Sequence, residues 1–281
     1  MKNLGVVYGA GNPNALRGVG ETAVDYSVPA PKRGINMLLA KYRKEEYCTE
    51  VPMPNAEISS VPILSRPLSE SKIALVTDGG LVPKGNPDDV TPSNAKKFCI
   101  YSFYGKEQLS PEDYEISHQG YNNALILEDP NRLMPVDALR RLERQGVIGK
   151  LSDIFYTLAG VMTPAENSEA FGEKIALSLK ETEADAVILS STCGTSTRCG
   201  AIIAREIERV GIPVVQATNL TKIAESFGVN RILRGNSVEC VFGNPRLSRE
   251  DEVKYREEMV QKALWMLSAT PPQNGSLVYA L

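Results

Sequence analysis

The stretch from Asp185 to Gln216 constrains this chain more than any other. Asp185 to Leu189 is a short apolar run, Ser190 to Ser196 is small and polar with one glycine, Thr197 to Val210 has helical spacing closed by Gly211, and Ile212 to Gln216 is a second apolar run. Strand, loop, helix and strand in that order form a βαβ unit, whose two strands must lie parallel and whose crossover has one favoured hand. A chain built around such a unit is expected to place its functional loops at the carboxyl ends of the strands.

The same alternation extends in both directions. Ile73 to Val76, Phe98 to Phe103, Phe155 to Leu158 and Asn230 to Leu233 read as further strands. Pro135 to Gln145, Ala165 to Glu181, Asn219 to Phe227 and Ser248 to Leu267 read as helices, the last opened by a Ser248–Asp251 capping pair. The expected class is α/β, a three-layer fold on a mostly parallel sheet with an irregular N-terminal arm. Prolines at 13, 29, 31, 52, 54, 62 and 67 leave room for one convincing helix in residues 1–70, around Ile35 to Glu45. Residues 1–70 are therefore expected as an arm or lid, and residues 71–281 as the α/β domain.

Composition narrows the function. The formal charge of −3 is spread along helices that pair Lys or Arg with Glu, which points away from nucleic acid and anionic membranes. No apolar run approaches the ~20 residues of a membrane span, and Met1 to Val7 is too short and too weakly charged for a signal peptide. A cytoplasmic protein is expected. Five cysteines, odd in number and mostly far apart, indicate reduced thiols rather than a disulfide framework. A single histidine and the absence of Cys-x-x-Cys elements leave no credible metal site, and no Gly-x-Gly-x-x-Gly follows a strand.

The chemistry converges on Cys193. It lies in Ser191-Thr192-Cys193-Gly194-Thr195-Ser196-Thr197-Arg198-Cys199-Gly200, between the end of one strand and the start of a helix. Unpaired amides at a helix N-terminus favour negative charge, which suits a nucleophilic or redox-active thiolate. The same loop would equally cradle a phosphate or carboxylate through Thr192, Gly194, Thr195 and Ser196. Cys199 is either a small buried hydrophobe or a thiol that resolves an oxidised Cys193. Cys48, Cys99 and Cys240 lack a thiolate-stabilising context. Two further loops are candidates for substrate binding: Thr77 to Pro87, with Gly79, Gly80, Lys84 and Asn86, and Ser117 to Asn123, with His118 and Tyr121.

These segments together resemble the selenoprotein B component of the glycine, sarcosine and betaine reductases, a group with D-proline reductase-like relatives. The resemblance rests on the Cys193 loop, on Gly80-Leu81-Val82-Pro83-Lys84-Gly85-Asn86-Pro87-Asp88, on His118-Gln119-Gly120-Tyr121, on Leu142 to Gly149 and on Gly243-Asn244-Pro245. It runs from about Arg33 to the C terminus and covers the family's carboxyl-terminal part. In the family, selenocysteine stands at the position of Cys193 and cysteine at that of Ser196.

The resemblance implies an oxidoreductase acting on C–N bonds. Cys193 would attack the α-carbon of glycine, sarcosine or betaine, displace the amine and carry a carboxymethyl group. Cys199 would be the redox partner, and His118, Tyr121 and the Gly79 to Asn86 loop would shape the pocket. A pyruvoyl-bearing subunit and a small selenoprotein A that accepts the carboxymethyl group are the implied partners, and this chain itself carries no cofactor beyond the selenocysteine position. Two other readings stand beside it: a cofactor-free, racemase-like thiol enzyme, which needs a second thiol facing Cys193, and a non-catalytic anion-binding subunit.

Overall fold

The computed structural model describes residues 4–8, 21–23, 25, 27–49, 61–272 and 275–280. The chain divides into two units, Met1–Glu57 and Ile58–Leu281.

In the first unit β1 (Leu4–Tyr8) pairs antiparallel with both β2 (Glu21–Ala23) and β3 (Tyr47–Thr49). The helix α1 (Ala30–Arg43) starts earlier than the sequence predicts because Pro31 falls in its first turn, where a missing N–H costs nothing. It ends where Lys44 turns left-handed. The proline spacing anticipates the helix but not the three short strands.

The second unit holds a seven-stranded sheet in the order β12-β11-β10-β9-β4-β8-β6. The strands are β4 (Lys72–Thr77), β6 (Cys99–Ser102), β8 (Lys150–Thr157), β9 (Ala186–Ser190), β10 (Val214–Thr218), β11 (Arg231–Arg234) and β12 (Leu277–Tyr279), and only β6 runs antiparallel to its neighbour. A separate antiparallel pair joins β5 (Leu81–Pro83) to β7 (Tyr114–Ile116).

Alternation along the central strand β4 defines the layers. Ala74 and Val76 pack with Phe171, Ile175 and Leu179 of α4 (Ala165–Glu181) and with Ile203 and Ile207 of α5 (Gly194–Arg209). Ile73 and Leu75 face the opposite layer, with Leu139 and Leu142 of α3 (Val136–Arg144) and Met259 and Leu264 of α7 (Arg249–Ser268). A sheet buried on both faces explains why β9 and β10 read as continuous apolar runs rather than alternating ones. The three-layer, mostly parallel α/β fold is as the sequence predicts. Ser248 accepts from the Asp251 amide and caps α7.

The consequential difference lies at α5. The helix begins at Gly194, with Cys193 as its N-cap, rather than near Thr197. Ser196 and Thr197 read as loop residues because their hydroxyls compete for backbone groups, yet both hydroxyls are engaged elsewhere: Ser196 with His118 at 2.7 Å and Thr197 with Thr218 at 2.8 Å. Among the described residues, no helix is long and apolar enough to cross a membrane.

Candidate active site

Three loops meet at the carboxyl end of the sheet around residues 77–80. The Asp78 amide donates to Ser190 O at 3.2 Å, its carbonyl accepts from the Gly160 amide at 2.8 Å, and the Gly80 carbonyl accepts from the Ser117 amide at 2.8 Å. Gly80 adopts φ 73°, open to glycine without strain. Tyr121 donates its hydroxyl to Gly79 O at 3.0 Å. The β4 exit thereby sets the positions of the Cys193 loop, the His118 loop and the loop after β8.

Cys193 is half-buried at the N-cap of α5. The amides of Gly194, Thr195 and Ser196 have no acceptor among the described residues, so the first turn presents three free donors beside the sulfur. Side chains add to this: the Ser196 hydroxyl is 3.4 Å from Sγ and that of Thr195 is 3.9 Å away. Thr195 also accepts from the Met162 amide at 3.1 Å. Gly120 closes the other side, where a Cβ would stand 2.9 Å from Sγ and 2.8 Å from His118 Cε1. Only glycine lets the His118 loop approach so near.

His118 is 2% exposed, and burial pushes its imidazole down to about 4, so it is neutral at pH 7. Its tautomer follows from its partners. Nδ1 accepts from the Gly120 amide at 3.0 Å, so the ring proton is on Nε2 and is donated to Ser196 Oγ. A thiol at Cys193 then donates to Ser196, whereas a thiolate receives the Ser196 proton as a hydrogen bond. The chain Gly120 amide, His118, Ser196, Cys193 thus runs donor to acceptor towards the sulfur. Burial also pushes the Tyr121 phenol well above its ordinary range, with the charges of Asp78, Cys193 and Cys240 adding to the effect.

Several residues expected at the site are placed apart from it. Lys84 is exposed beyond the end of β5, its amide bonded to Asp113 O. Asn86 spends its side chain on both backbone groups of Val90, closing its own loop. Among the described residues neither shares a hydrogen bond or ion pair with the Cys193 loop. Cys199 lies inside α5, fully buried among Val76, Leu189 and Phe171, and accepts from the Ser168 hydroxyl at 3.2 Å. Burial first, then Asp78, push its thiol up to about 12. With about 1.5 Å of rise per residue, it stands about 9 Å from Cys193 along the helix axis. That exceeds the roughly 7 Å of Cα separation a disulfide tolerates.

Gly79, Gly80, His118, Tyr121, Thr192, Gly194, Thr195 and Ser196 do gather around Cys193, and the Thr192 hydroxyl is buried without a partner. Asp78 and Gln216 join the site without a sequence motif that marks them. Gln216 sits in the middle of the buried strand β10, where a polar residue in an apolar run is the available signal, and Asp78 directly follows the buried strand β4. Cys240 is fully buried, its thiol pushed up to about 12 chiefly by burial, and Cys99 lies in the edge strand β6. The Cys48 side chain lies outside the described residues. Among the described residues no cluster of His, Cys, Asp and Glu is placed to hold a metal.

The sequence model of the family described as glycine/sarcosine/betaine reductase selenoprotein B matches residues 14–192, ending immediately before Cys193. A glycine reductase complex component B subunit gamma from Carboxydothermus hydrogenoformans is 44% identical over 84% of this chain and 54% of its own length. Two proteins of Peptoclostridium acidaminophilum are similar at comparable distance. A sarcosine reductase complex component B subunit beta is 40% identical over 83% of this chain and 53% of its own, and a betaine reductase complex component B subunit beta is 39% identical over 84% and 54%. The chain thus spans about half the length of the curated relatives it matches. No solved structure matches it significantly.

Proposed function

The chain belongs to the glycine/sarcosine/betaine reductase selenoprotein B family, and on that footing we propose that it is a subunit of an amine reductase complex in which Cys193 is the nucleophile that cleaves the substrate's C–N bond. The observation that carries this reading is one half-buried sulfur at the N-cap of α5, beside the unpaired amides of its first turn and within 3.4 Å of the Ser196 hydroxyl, which His118 backs.

In the proposed step the Cys193 thiolate attacks the α-carbon of glycine, sarcosine or betaine. The S–C bond forms as the C–N bond breaks, and the nitrogen leaves with the electron pair as ammonia, methylamine or trimethylamine. The product is S-carboxymethyl-Cys193. This displacement is redox-neutral, and the reducing equivalents enter when the carboxymethyl group, passed to a small selenoprotein A, is released. The substrate carboxylate suits the free amides of Gly194, Thr195 and Ser196 and the unpartnered Thr192 hydroxyl. His118 serves as a donor through Ser196 and not as a base, because Nε2 already carries the proton.

A pyruvoyl group on a partner subunit would supply a carbonyl that activates the amine. Gln119, Gly120 and Met162 are exposed beside half-buried Cys193 and would be the surface that such a partner meets. Selenium at position 193 would supply a better nucleophile and leaving group, and hydroxyls at 3.4 and 3.9 Å leave room for the larger atom. A racemase-like pair of thiols finds less support, since Cys199 and Cys240 are fully buried with thiols pushed up to about 12.

The test is incubation of the complex with isotope-labelled glycine, sarcosine or betaine, followed by mass spectrometry of the Cys193 peptide. Carboxymethylation of Cys193 with matching release of amine, lost in Cys193→Ser, is expected. Amine release without modification of Cys193 contradicts the reading.

A further inference from the structure

Asp78 is completely buried at the exit of β4, yet among the described residues no Lys, Arg or His pairs with it. Its partners are neutral: the Ser191 hydroxyl on one oxygen and the Thr192 amide, at 3.3 Å, on the other. Those two residues immediately precede Cys193. The helix makes room for the carboxyl at Gly200, where any Cβ would collide with both Asp78 Oδ2 and Ser191 Oγ. Gln216 secures the far side, donating from Nε2 to Ser191 Oγ at 2.8 Å and to Thr197 O at 3.0 Å.

We infer that Asp78 is the positioning residue of the nucleophile loop, acting as an uncharged carboxylic acid that clamps the Ser191–Thr192 peptide beneath Cys193. A buried carboxylate without a cation is strongly disfavoured and takes up a proton instead. Burial pushes the acidity of Asp78 in that direction against the smaller effects of Ser191 and Thr192. The protonated state also fits its neighbours. A charge on Asp78 would act on two buried groups, Tyr121 from the His118 loop and Cys199 from α5. In the uncharged acid the proton on Oδ2 is donated to Ser191 Oγ while Oδ1 accepts from the Thr192 amide, so the loop is held without a buried charge.

The inference rests on Cys193 being the reactive thiol, and its test compares variants with the parent chain so that the two fail separately. Iodoacetate labelling of Cys193 is followed against pH in Asp78→Leu, Asp78→Asn and Ser191→Ala, each first shown to be folded by thermal unfolding. Losing a clamp bond is expected to slow labelling about tenfold in Asp78→Leu and Ser191→Ala, while the conservative Asp78→Asn, isosteric with the neutral acid, restores the parent's rate and pH profile within about twofold. Faster labelling of Asp78→Asn at lower pH would show a buried anion and overturn the inference. Parent-like labelling of Asp78→Leu, or of Ser191→Ala should Asp78→Leu not fold, would overturn the positioning role. A parent Cys193 no faster than free cysteine would instead count against the proposed nucleophile, leaving the ratios between variants readable.

Discussion

His118 Nε2 lies 2.7 Å from the Ser196 hydroxyl, and among the described residues it is that hydroxyl, not the ring, that shares a hydrogen bond with Cys193. This relationship separates the site from a Cys–His pair, in which the ring itself takes the thiol proton. Here the ring is a buried donor, and the serine converts its N–H into a hydrogen bond at sulfur.

Ser196→Ala is expected to reduce Cys193 labelling at pH 7 about tenfold, the effect of removing one hydrogen bond to a charged group. It also strands the Nε2–H of His118. Labelling by iodoacetate, read by peptide mass spectrometry, checks this, and an unchanged rate would show that the serine is a bystander.

Acid should destabilise the fold through His118. Its folded value of about 4 lies below an unfolded value near 6.5. Between these pH values the unfolded chain binds the proton that the folded one refuses, so stability is full above about 6.5 and falls as the pH drops towards 4. The loss is at most about 3 kcal/mol. Buried acids such as Glu208, pushed up to about 7 chiefly by burial, act in the opposite sense. The difference between parent and His118→Gln in urea unfolding across this range isolates the histidine, and parallel curves would refute the assignment.

Glu208 and Arg231 form an ion pair at 1% and 0% side-chain exposure, linking α5 to β11. Arg231 also donates to Pro62 O and Ala269 O, and Glu208 accepts from Asn230. Removing one charge strands the other, so Glu208→Ala should cost about 3–5 kcal/mol of unfolding free energy, with a double replacement by apolar residues costing less than the sum. Denaturant titration measures both.

Cys199→Ala should leave Cys193 labelling unchanged, and mild oxidation should produce no Cys193–Cys199 disulfide in peptide maps. The helix between them fixes the sulfurs apart, and only unwinding its first turns would bring them together. A substantial yield of that disulfide would show that the turns open in solution.

Much of the fold was legible in the sequence, since strands buried on both faces and helices ended by glycine leave strong local signatures, as at Val187 to Leu189 and Gly211. The start of α5 was not legible. Ser196 and Thr197 resemble loop residues until Thr218 and His118, distant in sequence, satisfy their hydroxyls. Cys199 lies near Cys193 along the chain, whereas the helix turns it into the core. Lys84 and Asn86 follow Gly79 closely in sequence, but the β5–β7 pair lies between them and it. Asp78, a carboxyl in a glycine-rich turn, reads as solvated, and the packing of Gly200 and Ser191 against it is what encloses it.

The central claim is that Cys193 is an activated nucleophile, and the rate of its alkylation by iodoacetate at pH 7, measured beside free cysteine and with Cys193→Ser as control, tests it most directly. With the donors of α5 and Ser196 stabilising the thiolate, labelling should exceed that of free cysteine by about tenfold or more and should fall on the Cys193 peptide. Labelling no faster than free cysteine, or spread over other thiols, would contradict the account.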